Sequence, residues 1–260
     1  MKSMINGFII AIDMYCVIPM PKTERNRKNM QYVTCFFPVI GFLLGALLWG
    51  WHSLCDLYGF GQACFALAGA VIPVAVTGGV HLEGFMETAN VLHTKWRQRK
   101  GQDTKNQDNA HAPYKGDFGA IASVSYFMLY GAGLTLIWKK EQLLLLLLSC
   151  VISRTLMGMG IAWFPVAQKE GTMYCFTSVA HKQRLRTVLS VALTLELVSC
   201  VLVQPVIGAV LGLAAMWVWT YYYYMARRQL GGVTDNAGGY FLCLCELTSV
   251  LVVGMVGRVM

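Results

Sequence analysis

Charge is what this chain has least of. Only 13% of its 260 residues are Asp, Glu, Lys or Arg, about half the share a soluble domain carries. That shortage excludes a disordered chain, a fibrous repeat and most cytosolic enzymes. Acids are scarcer still, with 13 Asp and Glu against 21 Lys and Arg, a formal net charge of +8. No two of the nine cysteines stand as a C-x-x-C pair, and most lie in apolar runs. Neither a disulfide framework nor a zinc site is therefore expected. No repeat of solenoid type is visible. What the chain does have is apolar surface: 56% hydrophobic residues and a mean hydropathy of +0.52, the composition of a protein whose solvent is lipid.

Seven runs are long and apolar enough to be read as crossings: 33–58, 62–79, 119–138, 142–164, 187–203, 206–224 and 240–257. The fifth is the least comfortable. A shorter run, 5–18, ends at Pro19 and Pro21 and reads as an interfacial or re-entrant helix. A secretory signal is its rival, but Asp13 interrupts the run and no small-residue cleavage site follows. The expectation is an all-α, polytopic membrane bundle in one domain, 1–260, with about seven transmembrane helices. Segments 80–118 and 225–239 are expected as an acidic-motif loop and a glycine-rich loop on one face.

With the N-terminus inside, 17 of the 21 basic residues fall on the inner side. Lys139, Lys140 and Arg258 fall outside and Arg154 within a span. This positive-inside bias puts both loops on the cytoplasmic face and accounts for the basic charge without nucleic acid. Contact with anionic lipid is its ordinary consequence. The tyrosines 221–224, beside Trp217 and Trp219, read as an aromatic belt.

Chemistry belongs where polar residues recur. The first island, 78–90, holds His81, Glu83, Gly84, Glu87 and Asn90. If 83–90 is helical, Glu83, Glu87 and Asn90 share one face, either as a solvated surface or as oxygen ligands. Two carboxylates suit Mg²⁺, which usually completes its shell with substrate phosphate, so the implied substrate is a diphosphate. The second island, 229–239, sets Thr234, Asp235 and Asn236 among four glycines. It reads either as a phosphate-approaching loop or as a plain flexible one. Three ionisable residues lie within spans: Arg154, Glu196 and Glu246. Such groups are costly in lipid and tend to face partners or cavities. Arg154 could contact substrate phosphate or pair with Glu246. Glu196 has no evident role, and the polar stretch 94–109 reads as a mobile loop.

At these residues the sequence resembles the cobalamin synthase (adenosylcobinamide-GDP ribazoletransferase) family of bacterial membrane enzymes. The likeness begins at Tyr15-Cys16-Val17-Ile18-Pro19-Met20-Pro21 and continues through 35–41, the 81–90 island, Gly116-Asp117-Phe118-Gly119 and Ser153-Arg154. It closes with Gly231-Gly232-Val233-Thr234 and 239–247. The resemblance implies an Mg²⁺-dependent transferase of the bacterial inner membrane. Such an enzyme joins adenosylcobinamide-GDP to α-ribazole, or its 5′-phosphate, with release of GMP. It implies metal on Glu83 and Glu87, with Asn90 completing a catalytic face. It also implies His81 and Gly84 at the turn, Arg154 on phosphate, and Thr234, Asp235 and Asn236 as a second wall.

The chain departs from the family pattern at its acids. Glu83 and Glu87 stand where the family has Asp, Asn90 and Ala112 where it has acids, and Asp235-Asn236 where it has Gly-Asp. Val17 replaces a common basic residue. The alternative reading is therefore a catalytically weakened or inactive membrane protein on the same scaffold, binding corrinoid intermediates or pathway enzymes; other cobalamin-assembly enzymes or a homo-oligomer are the macromolecular partners expected on either reading. A lipid phosphotransferase is disfavoured because Glu83-Gly84 lacks the following Ala-Arg and no second acidic triplet follows, and a transporter because neither inverted repeats nor broken midplane helices are evident in the sequence.

Overall fold

A computed structural model describes residues 2–101, 118–167 and 171–259. The chain enters by α1 (Lys2–Tyr15), a single turn α2 (Arg27–Met30) and a 3₁₀ turn (Val33–Phe36). Then follow α3 (Phe37–Tyr58), α4 (Gly61–Thr77), α5 (Val80–Arg99), α6 (Phe118–Leu134) and α7 (Lys140–Trp163). The last part comprises α8 (Thr172–Val179), α9 (Lys182–Val203), α10 (Pro205–Met225), a π-turn (Ala226–Leu230) and α11 (Asp235–Val259). Among the described residues the only β pairing is an isolated bridge between Val166 and Val233.

This is the expected all-α polytopic bundle of a multi-pass membrane protein. α7 is the most buried of its long apolar helices and packs along α3, α9 and α11. The span count is corrected. Among the described residues five helices are long and apolar enough to cross by themselves, or six if the bent pair α4–α5 is one span. Each of the seven runs does contain a helix, but α4 and α6 have only 17 residues. Gly78 and Gly79 end α4 in the left-handed region, at φ 65° and 80°, where a Cβ would be strained. Beyond Leu134 the chain tightens into a turn, Leu136 bonding back to Gly133 and Ile137 to Leu134. At 14 residues, α1 reaches about 21 Å and cannot span the hydrocarbon core.

Neither segment expected as a loop is one throughout. The Gly78-Gly79 break turns the chain by 96° into α5. α5 carries Glu83 in its first turn and Arg97 and Arg99 in its last, the arrangement the helix dipole favours. Likewise 225–239 is mostly helical: only 231–234 separates the π-turn from α11, whose first turn holds Asp235 and Asn236. The polar stretch 94–109 is helical through Arg99. Most of its remainder, together with Ala112, lies outside the described residues.

Candidate functional site

α5 and α11 meet where neither has a side chain to keep them apart. A Cβ built on Gly84 would stand 2.8 Å from the carbonyl oxygen of Asn236, and one on Gly239 would stand 2.7 Å from that of His81. Gly84 and Gly239 are therefore close-approach positions inside helices. The readings of Gly84 as part of a turn and of Gly239 as part of a phosphate loop are corrected accordingly. Gly84→Ala is expected to lower unfolding stability in mixed micelles by about 1–3 kcal/mol, the usual penalty for forcing an extra methyl into a packed contact. A variant as stable as the parent would show that the helices can part freely there.

The crossing fixes the polar residues around it. Thr234 caps α11, its Oγ1 accepting from the Ala237 N–H at 3.1 Å. Asp235 reaches back to α8, where its two carboxylate oxygens accept from the N–H groups of Thr172 (3.0 Å) and Met173 (2.8 Å). A carboxylate at a helix N-terminus satisfies donors that otherwise have no partner. Asn236 turns the other way, and its Nδ2 donates to Glu87 Oε2. One turn of α11 thus joins α5 to α8.

Glu83 and Glu87 are both exposed, one turn apart on the face of α5 that begins at Val80. Asn90 is placed differently. Its Oδ1 accepts from the Gly119 N–H at 2.6 Å and so holds the start of α6. That occupied oxygen gives Asn90 a structural task the sequence did not suggest. Among the described residues no group of three or more His, Cys, Asp or Glu is placed to hold a metal ion. The donor set on α5 is two carboxylates, which fits an Mg²⁺ shared with substrate phosphate and not one caged by protein.

Beside this face lies a cavity of about 160 Å³ between α1, α3, α5, α7, α8 and α11. Val80, His81, Arg154, Asp235 and Thr172 line it, together with Tyr15, Met157 and Met173. Arg154 is 3% exposed and pairs with Glu246, itself buried. The same nitrogen, Nη1, also donates to Ser153 Oγ at 2.9 Å. Nε and Nη2 of Arg154 are buried without a hydrogen-bond partner. The two readings of Arg154 are thus compatible: one edge of the guanidinium makes the ion pair, and two further donors are unused on a residue of the cavity wall.

Tyr15 stacks with His81, ring centroids 6.1 Å apart. Burial, and then the charge of Asp235, push its phenol well above the ordinary value, so it stays protonated. Burial likewise raises the Cys16 thiol, with Arg154 pulling weakly the other way. The structure therefore gathers His81, Arg154 and Asp235 on the cavity, and Glu83, Glu87 and Asn236 on the adjoining exposed face. Thr234 and Gly84 serve the backbone between them. Tyr15 and the start of α8 are lining the sequence had not assigned. Tyr15 stands in a motif of the resemblance, whereas nothing local in 171–173 announces a site.

The chain is similar to known proteins over nearly its whole length. The chain is 29% identical over 250 residues to an adenosylcobinamide-GDP ribazoletransferase of Lachnoclostridium phytofermentans, covering 96% of this chain and 93% of that protein. It is 24% identical over 260 residues to the protein of the same description from Clostridium perfringens SM101, covering 98% and 100%. A third, from Desulfitobacterium hafniense, is 26% identical over 248 residues, covering 93% and 94%. No solved structure matches the chain. The sequence model described as cobalamin-5-phosphate synthase matches residues 7–254, and the chain belongs to that family.

Proposed function

We propose that this protein is a transferase of late cobalamin assembly that joins adenosylcobinamide-GDP to α-ribazole or its 5′-phosphate, releasing GMP. We place it in a bacterial inner membrane, with the α5–α11 crossing on the cytoplasmic face, the side that takes 17 of its 21 basic residues when each of the seven apolar runs is a crossing. The observation that carries the reading is Arg154: a buried guanidinium on a cavity wall with Nε and Nη2 unpartnered. Buried donors are ordinarily satisfied, and leaving one bare costs about 1–3 kcal/mol. A phosphate oxygen satisfies them.

The reaction is a displacement at phosphorus. A ribose hydroxyl oxygen of the ribazole bonds to the phosphorus that carries the cobinamide, and the bond from that phosphorus to the bridging oxygen breaks. GMP leaves with the bridging oxygen, and the hydroxyl proton passes to water on the exposed face. Chemistry of this kind depends on positioning and on offsetting charge at the departing phosphate. Glu83 and Glu87 would hold Mg²⁺, which would supply that charge beside the diphosphate. Asn236, donating to Glu87, orients one carboxylate and leaves its other oxygen for the metal. A cavity of about 160 Å³ admits a phosphate or part of a ribose but no corrin, so the corrinoid stays outside at the membrane face. Arg154 and the protonated Tyr15 belong to the wall that receives the polar end.

The test is GMP release by the purified protein in lipid nanodiscs, given adenosylcobinamide-GDP, α-ribazole or its 5′-phosphate, and Mg²⁺. Turnover is expected, and chelation should abolish it. No GMP, under conditions where the Lachnoclostridium phytofermentans relative is active, would exclude the reading.

A further inference from the structure

A second concavity lies on the other side of α5. This groove, of about 630 Å³, is walled by Phe85, Leu92 and Trp96 of α5, Phe118 of α6, Tyr221 of α10 and Leu244 of α11. Its rings are unusually open for apolar groups: Trp96 is 49% exposed, Tyr221 39% and Phe118 36%. It sits at the end of the bundle that bears the acidic face, since α6 and α11 both start there and α10 ends there. Aromatic side chains at that level mark the membrane–water boundary.

Cations stand beside the groove at the end of α5: Lys100 Nζ lies 4.6 Å from the Trp96 ring centroid, and Lys95 and Arg99 flank Trp96 in the same helix. Lys95 Nζ donates to the backbone carbonyl of Gln229, and Arg99 Nη2 donates to the Gln229 side-chain oxygen at 2.9 Å. Both acceptors are neutral, so each cation keeps its charge and its remaining donors. Neither is paired with a carboxylate among the described residues. An occupant complementary to an aromatic floor with these cations beside it is an amphiphile with an anionic head.

The nucleotide substrates do not fit that description. Phe85 and Ala89 each follow an acid, Glu83 or Glu87, by two residues, and two residues turn a helix by about 200°. A base held in the groove would thus lie on the opposite side of α5 from the reacting phosphate.

We propose that the groove binds an anionic phospholipid, its acyl chain along the aromatic floor and its headgroup phosphate on Lys95 and Arg99. Because Lys95 and Arg99 already clamp α5 to Gln229 in the π-turn after α10, the lipid closes a contact between α5 and α10–α11. It thereby buttresses from behind the helix whose opposite face carries Glu83 and Glu87. The proposal rests on this geometry and not on the reaction, and its test needs no turnover.

The protein is reconstituted in phosphatidylcholine nanodiscs carrying a minor fraction of phosphatidylglycerol and extracted into mild detergent. Retained lipids are then counted by native mass spectrometry. Preferential retention of one phosphatidylglycerol is expected. Lys95→Gln/Arg99→Gln should lower that preference about 25-fold, taking about fivefold for each charge near the surface. Lys139→Gln/Lys140→Gln removes equal charge from the opposite end and should leave it unchanged. Ala122 of α6 also lines the groove, so Ala122→Phe fills the floor, keeps both cations and should also release the lipid. Glycerol 3-phosphate, the headgroup without its tail, should not displace it. Equal retention of the two lipids by the parent protein, or undiminished preference in Lys95→Gln/Arg99→Gln, would overturn the proposal. Displacement by glycerol 3-phosphate would overturn it as well, by showing a site for soluble phosphate.

Discussion

Glu83→Gln/Glu87→Gln is expected to lower GMP release by about 10³-fold at saturating substrate while leaving the protein folded. Both side chains are exposed on α5, and glutamine keeps their length, so neither packing nor helix propensity changes appreciably. What is removed is the pair of negative oxygens that would hold Mg²⁺. Metal-borne charge at a phosphoryl centre is worth several kcal/mol in the transition state, and about 4 kcal/mol corresponds to 10³-fold in rate. The companion variant Glu83→Asp/Glu87→Asp keeps the charge but draws each carboxylate back by one methylene. It should stay within about tenfold of the parent, with a shifted Mg²⁺ requirement, because substrate phosphate and water complete the octahedron. An unaffected Gln/Gln variant would move the metal off α5 altogether. Equal, severe loss in both variants would instead place the carboxylate groups themselves in the reacting geometry.

The parts of the molecule legible in the sequence are those where one local pattern determines the outcome. An apolar run of about twenty residues has one stable form in lipid, a helix, and each of the seven runs contains one. The face of Glu83 and Glu87 follows from spacing four apart, given only that α5 is helical. That this helix is packed was hidden, because its polar residues read equally well as a solvated helix face. Its burial depends on Gly84 meeting the backbone of α11 about 150 residues later. The second island misled for the same reason. Gly238 and Gly239 look like a phosphate cradle in sequence but lie within α11, where their bareness admits Met157 and α5. Asp235 was marked as site wall, yet its two bonds to the start of α8 join groups 62 and 63 residues apart. No local signal could announce them. Glu196 gained a neighbour but no role: Thr155 donates to its Oε1 at 2.7 Å inside the bundle.

The sharpest separation of fold from function lies at Arg154. Arg154→Met is expected to destabilise the bundle by about 3–5 kcal/mol, because it strands Glu246 in a buried site with its partner gone. Glu246 also accepts from the Tyr126 hydroxyl, but at 3.4 Å from Oε2 that bond is too long to replace an ion pair. Loss of activity in that variant would mean little by itself, since an unfolded bundle releases no GMP. The informative protein is Arg154→Met/Glu246→Leu. Replacing both members of a buried pair by apolar residues of similar size is often neutral or stabilising. The double variant should therefore recover most of the lost stability in mixed-micelle unfolding. It should nevertheless remain at least about 10²-fold below the parent in GMP release, because the unpartnered Nε and Nη2 donors do not return. If activity returned along with stability, Arg154 would be only a buried strut, and the phosphate would have to be held elsewhere. If the folded double variant stays inactive, the guanidinium performs two separable tasks: its Nη1 edge holds α7 to α11, and Nε and Nη2 await the substrate.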